Sequence, residues 1–461
     1  ILIGFNNAAY DDVVIRHALS YPFLIDKSLT VKKYSDALIM HGQKPSYPEM
    51  KAPTHFNPNY LSWDVSFHGP FDIRRNSLKK LTMSVLNRRN YDSSVSFDTP
   101  RKLTPKERLD VEKYCEMDVD NTLALFMPDP DNPKRTFAKE SYDIRWNMIV
   151  EYKMRAKTLI NKSSSFAGKL LCGEDAKANI QNTYKIVDGK RQYYSIPELA
   201  MKELCDENGK PSKLLQFYLD NQDNPNYITE KFEVQLGGFD EGHKYQFGFG
   251  GLHQALIGYR SKNLVNMDVA SLYPSLLVEY GLMSRGAAKN PESYKEVYHT
   301  RLKAKKEGKT LLNQGLKLIL NGAIGAMLSA FNPLYDTWSN SSICVHGQLL
   351  LFILVKRLYD AGFNIIQTNT DGIMIERQED VDFMPIAEQW MKETRLVLEF
   401  DEIDTLAQNN VNNYYCKFTN GKVKSKGFYL SNEKFGKATS KILCNMVTDQ
   451  PLLDGVIPRD F

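Results

Sequence analysis

A chain of 461 residues with 42% apolar and 25% charged residues reads as two or three soluble globular domains, which excludes a disordered chain or a single small module. Its longest apolar run, residues 349–355, is too short to span a bilayer, and its six scattered cysteines form no Cys-x-x-Cys pair, which argues against a zinc site or a disulfide framework and fits a reducing cytoplasm. The net charge of +4 is mild, but residues 299–309 hold five Lys/Arg against one Glu and residues 417–441 hold seven Lys against one Glu, runs that suit phosphate contact.

In chain order, the first break is Met127-Pro-Asp-Pro-Asp-Asn-Pro133, whose prolines and turn formers exclude regular structure and close an N-terminal unit. Residues 140–172 read as helical. Polar, Asn- and Gly-rich text then runs to position 245, with no assignable chemistry. Residues 263–267 (N-L-V-N-M) form a strand ending at Asp268, and 271–280 a helix. A helical hairpin follows, 291–307 and 310–330, turning at Gly308. Residues 342–361 make another helix. The β-branched runs 364–368 and 373–376 surround Asn-Thr-Asp-Gly, a hairpin signal. Acids at strand ends in such a mixture suggest an α+β domain whose sheet carries the site.

Two-metal phosphoryl transfer needs carboxylates that converge on a pair of Mg²⁺ ions, one activating a hydroxyl and one neutralising a leaving group. Asp268, closing a strand, and Asp371, on a hairpin tip, hold rigid positions suited to that work. Asp268 opens D-V-A-S-L-Y-P-S (268–275); K-L-I-L-N-G-A-I-G follows at 317–325; Asp371 sits in T-N-T-D-G-I (368–373). In this order the three segments resemble family-B DNA polymerases, which carry D-x-x-S-L-Y-P-S, K-x-x-x-N-S-x-Y-G and D-T-D-S.

The resemblance implies that Asp268 and Asp371 are metal ligands, with the Val269 carbonyl as a third oxygen. Tyr273 is then the steric gate that leaves no room for a 2′-hydroxyl. Lys317, Asn321 and Ile324, at i, i+4 and i+7, share one helix face toward the incoming nucleotide. Lys317 would grip the triphosphate, Ile324 would face the new base pair, and Arg301 and Lys305 would add phosphate contacts. Ser271, Gly250 and Gly251 (in Phe247-Gly-Phe-Gly-Gly251, which resembles the Gly-Gly loop) and Tyr414 (in V-N-N-Y-Y, 411–415) would touch DNA. Lys424 and Lys426 would stand in for the lysine that Asn412 replaces beside that tyrosine. The chain departs from the family pattern at Gly322 (for Ser), Ile324 (for Tyr), Asn369 (for the first Asp) and Gly372 (for Ser).

Three N-terminal segments resemble the exonuclease motifs of the same enzymes: Asn7-Ala-Ala-Tyr10-Asp11, Ser77-Leu-Lys-Lys-Leu81 and Tyr114-Cys-Glu-Met-Asp118. They imply Asp11 and Asp118 as metal ligands, Tyr114 as the residue orienting water, and Asn7, Tyr10, Ser77 and Leu78 as contacts to a frayed 3′ end. The family's D-x-E strand is expected before Asn7 and a thumb after the palm, so the sequence reads as truncated at both ends.

The expected fold class is α/β plus α+β. An RNase H-like exonuclease domain lacking its first strand (1–128) leads through a connector (129–245) to a palm of antiparallel sheet and helices (246–288 and 331–461), with two-helix fingers (289–330) between its parts. The expected activity is DNA-directed DNA polymerisation with 3′→5′ proofreading, in replication of a phage or mobile element. Expected cofactors are two Mg²⁺ at the polymerase site, and two at the exonuclease site when its first strand is present. Expected partners are primer-template DNA, dNTPs and replication accessory proteins, for a monomer in the host cytoplasm away from membranes. Only 49 positions separate Asp268 from Lys317 and 50 separate Asn321 from Asp371, so no strand-encircling insertions are expected. A palm enzyme making or copying RNA is the second reading, against which Tyr273 stands. A non-catalytic DNA-binding relic is the third.

Overall fold

The computed structural model describes residues 2–5, 11–20, 35, 62–65, 77–86, 88–96, 98–99, 101–127, 138–178, 182–226, 231–236, 243–248, 250–286 and 292–426. They form two compact units that divide between Lys162 and Ser163. Asn7 and Tyr10 lie outside the described residues, as do positions 128–133 of the expected linker and the basic run beyond 426.

The first unit pairs two short parallel strands, β1 (Leu2–Gly4) and β2 (Ser62–Asp64). Around them are helices α1 (Asp11–Ser20), α2 (Leu78–Leu86), α3 (Pro105–Phe126) and α4 (Ala138–Glu151). The start of α3 is set locally. Thr104 Oγ1 accepts from Glu107 N at 3.3 Å, the Glu107 carboxylate accepts from Thr104 N at 2.8 Å, and Pro105 occupies the first turn. Arg101 grips the same carboxylate from the other side, and together these bonds hold the Glu107 carboxyl down at about 2. The core is aromatic: Trp63, fully buried, meets Tyr142 edge-on at 5.2 Å, and Tyr142 meets Phe126 edge-on at 5.7 Å.

The second unit is built on a nine-stranded, wholly antiparallel sheet in the order β13-β12-β11-β8-β10-β9-β7-β6-β5. Its strands are β5 (Phe232–Gln235), β6 (Lys244–Gly248), β7 (Gly251–Ala255), β8 (Tyr259–Val269), β9 (Ile365–Asn369), β10 (Gly372–Glu376), β11 (Leu398–Asn410), β12 (Asn413–Phe418) and β13 (Val423–Lys426). A small hairpin, β3 (Lys185–Val187) and β4 (Lys190–Gln192), precedes them. The helices are α5 (Ser163–Cys172), α6 (Glu198–Glu203), α7 (Lys213–Asp220), α8 (Leu272–Glu279), α9 (Glu292–Lys306), α10 (Thr310–Ala326), α11 (Thr337–Asp360) and α12 (Met384–Thr394). The protein is thus a mixed α/β chain with a large antiparallel sheet.

The expected strand at 263–267 is the C-terminal half of β8, and the expected helix, helical hairpin and β-hairpin fall at α8, α9–α10 and β9–β10. Gly308 turns the helical hairpin with φ +68°, a conformation open to glycine at little cost. The last expected helix begins earlier than its apolar text. Asp336 caps α11 by accepting from Ser339 N at 3.0 Å, and it is fully buried in a bidentate pair with Arg285 (2.8 Å). Helix α11 buries 18 of its 24 residues, packing on α8 and β7. By length and composition it could cross a membrane, but 83% of its apolar window is inside the protein, which makes it the core helix of this unit.

Candidate active site on the antiparallel sheet

Asp268 lies at the C-terminal end of β8, where its neighbours in register are Gly372 on β10 and Glu399 on β11. Asp371 lies on the β9–β10 tip, and its carbonyl accepts from Val269 N at 2.7 Å. Both carboxylates line one polar cavity, together with Asn266, Gln367, Asn369, Tyr414 and Lys424. Burial, then the neighbouring Asp371 charge, pushes the Asp268 carboxyl up to about 7; Lys424 opposes the shift. Burial raises Asp371 as well, again against Lys424.

The tip carries strain. Asp371 N donates to Asn369 O at 2.7 Å, closing a γ-turn about Thr370, whose φ of +63° is unusual for a β-branched residue. Two contacts hold it there: Thr370 N donates to Leu252 O at 2.9 Å, and Thr370 Oγ1 meets His253 Nε2 at 3.2 Å. Gly251 lets the tip come close, since a Cβ there would stand 2.8 Å from Thr370 Oγ1 and 3.1 Å from its Cα. Such an over-determined turn fixes the aim of Asp371.

Three of the four departures from the polymerase pattern have a reason in the structure. A Cβ at Gly372 would lie 2.8 Å from Asp268 Oδ1, so the serine of the pattern would displace the carboxylate. A Cβ at Gly322 would lie 2.6 Å from Ser163 O, where α5 crosses α10. Asn369 Nδ2 donates to Val411 O at 3.5 Å, which an aspartate could not do. Nothing in the structure explains Ile324, which is half-buried, its carbonyl accepting from Asn340 Nδ2 at 3.2 Å.

Tyr273 is buried enough to push its phenol well up, and its hydroxyl donates to Gly250 O. Arg301, expected as a free phosphate contact, is buried instead and donates from Nη1 to Ser271 Oγ at 2.5 Å. Lys305 pairs with Glu399 at 2.6 Å. Lys317 and Asn321 line a separate groove with Gly322, Gly325, Ser163 and Ser164; they do not line the carboxylate cavity. Tyr414 is buried, with Lys424 hydrogen-bonded to it, and Lys426 Nζ reaches Val411 O at 3.5 Å.

In the first unit, Tyr114 bonds Asp118 one helical turn away, with Lys79 4.9 Å over the Tyr114 ring. Ser77 precedes α2, its Oγ accepting from Lys80 N at 3.3 Å, and Leu78 opens that helix. Asp11 opens α1 and Asp118 lies on α3, and burial raises both carboxyls. Among the described residues no group of three or more His, Cys, Asp or Glu is assembled as a metal site. Sequence reasoning missed Glu399 and Asp401, whose charges both reach Asp268. Their alternation in L-E-F-D (398–401) is a strand signal that would have put both on one face.

At Asp268 and Asp371 the donor set is hard oxygen, which suits Mg²⁺; that ion commonly takes one or two carboxylates and fills its remaining positions with water and phosphate oxygens. Two half-buried carboxylates sharing a cavity are relieved by a cation or by a shared proton.

No family model and no curated protein matches the sequence. Among solved structures, the chain is distantly similar in fold to the family B DNA polymerase from the hyperthermophilic archaeon Pyrobaculum calidifontis. The identity is 11% and the TM-score 0.39, over 98% of this chain and 56% of that one. The chain therefore spans little more than half the length of that polymerase.

Proposed function

We propose that the second unit is the catalytic part of a DNA-directed DNA polymerase of family B, which extends a primer 3′ end with dNTPs. One observation carries the reading: Asp268 and Asp371, from segments 103 positions apart, meet at the ends of adjacent strands in one polar cavity. The first of these segments reads D-V-A-S-L-Y-P-S. Those carboxylates, with the Val269 carbonyl, would hold Mg²⁺, which when bound supplies hydroxyl activation and neutralises phosphate charge. Tyr273, anchored on Gly250, presents its ring as a sugar-excluding wall. Lys305 would provide a cation for the triphosphate and Lys424 and Lys426 cations for the primer backbone, while Arg301 braces Ser271 and Lys317 stands in its own groove on the helical hairpin. The primer 3′ oxygen would form the new bond to the α-phosphorus as the bond to the pyrophosphate oxygen breaks.

The departures at Gly322, Asn369 and Gly372 favour a working site over a relic, because each preserves a contact around the carboxylates or the helical hairpin. The first unit is read as a 3′→5′ exonuclease domain, acting through Asp11, Asp118 and Tyr114. The function is tested by primer extension with Mg²⁺ on a primer-template, comparing dNTPs with rNTPs. Extension with dNTPs alone is expected; equal use of both would favour the RNA-copying reading.

A further inference from the structure

Two cations one helical turn apart on α9 are docked beside the site, Arg301 on the Ser271 cap of α8 and Lys305 on Glu399 of β11. Arg301 is buried at Ser271, beside the N-terminus of α8, and its Nε has no hydrogen-bond partner among the described residues. Lys305 reaches across 94 positions of sequence to Glu399, Nζ to Oε1 at 2.6 Å. Glu399 stands directly opposite Asp268 in the β11–β8 register, and its charge reaches both Asp268 and Arg301. The pair thus joins the helical hairpin to the strand beside the catalytic carboxylates.

We propose that Glu399 is a placeholder anion for the nucleotide triphosphate. It holds Lys305 on the sheet when no nucleotide is bound and gives it up to the phosphates when one arrives, so it sets nucleotide affinity without touching the reacting atoms. This rests on the polymerase reading of the same site. The physical basis is competition. Both partners are about half exposed (50% and 54%), so their attraction is weak and readily exchanged for a triphosphate carrying several charges. A plain surface ion pair would leave nucleotide affinity unmoved.

The test uses Glu399→Gln, which keeps shape and removes charge, with Lys305→Ala and the double variant. Two quantities are read: KM and kcat for dNTP in primer extension, and binding of inorganic tripolyphosphate to the metal-free protein by calorimetry. Glu399→Gln should lower KM and tighten tripolyphosphate about two- to fivefold, the span of an exposed pair. In the Lys305→Ala background it should change neither. Unchanged KM and tripolyphosphate affinity would overturn the assignment. So would an equal gain without Lys305, or a fall in kcat at constant KM, which would move Glu399 to the metals. The two readings fail separately. Tighter tripolyphosphate in a protein that extends no primer would sink the polymerase and keep the placeholder. Extension that is indifferent to Glu399→Gln would do the reverse.

Discussion

At the scale of single residues, the site depends on small side chains and aimed carboxylates. Gly372 faces Asp268, and a methyl group there would crowd Oδ1 at 2.8 Å. Gly372→Ala should therefore cut single-turnover extension on the order of 10- to 100-fold, because misplacing a ligand by a fraction of an ångström is costly. Its thermal melting should stay close to the parent's; a parent-like extension rate would remove Gly372 from the account. Tyr273→Ala should admit ribonucleotides, read as a fall in the dNTP/rNTP ratio of kcat/KM, since the wall is steric. His346 gives a different readout. It is buried on α11 with Nε2 3.1 Å from Ser195 Oγ and the Tyr280 ring edge-on at 5.0 Å. Burial pulls its imidazole down to about 3. A depressed histidine stays neutral when folded, while the unfolded chain takes up the proton below about 6.5. Stability should therefore fall as pH drops from about 6.5 towards 3, by at most about 1.4 kcal/mol per pH unit from this group. His346→Gln should flatten that share of the slope in urea unfolding at pH 5 and 7; an unchanged slope would contradict it.

At the scale of elements, the close crossing of α5 and α10 rests on Gly322. Gly322→Ser would restore the polymerase pattern yet drive its Cβ onto Ser163 O, at an expected cost of about 1–3 kcal/mol by denaturant melting. Asp336→Ala should cost more, about 3–5 kcal/mol, because it strips α11 of its cap and leaves Arg285 without its buried partner. The elements that sequence made legible have strong local signals. Residues 264–269 run apolar into an acid, Gly308 breaks two helical periods, and Asn-Thr-Asp-Gly sits between β-branched runs. The start of α11 was hidden, because Trp338-Ser-Asn-Ser is polar text buried by its own bonds, such as Ser342 Oγ to Trp338 O at 2.7 Å. Strands β3 to β6 and helices α6 and α7 were hidden for another reason. Each is at most eight residues long and takes its form from packing rather than propensity.

At the scale of the whole molecule, the pairing of β8 with β10 and β11 joins residues 104 to 149 positions apart, which no local pattern encodes. The two carboxylates were legible because their surrounding motifs are; their shared cavity with Lys424 was not. The N-terminal unit was legible only in part, since Tyr114 and Asp118 lie one turn apart on α3 while Asn7 and Tyr10 fall outside the described residues. The central claim is that Asp268 and Asp371 hold the metal for nucleotidyl transfer. It is tested most directly by single-nucleotide incorporation with Mg²⁺ on a primer-template, comparing the parent with Asp268→Asn and Asp371→Asn and measuring DNA affinity on the same samples. Incorporation by the parent, lost in both variants while DNA binding is kept, is the predicted result. Incorporation that survives either substitution would contradict it.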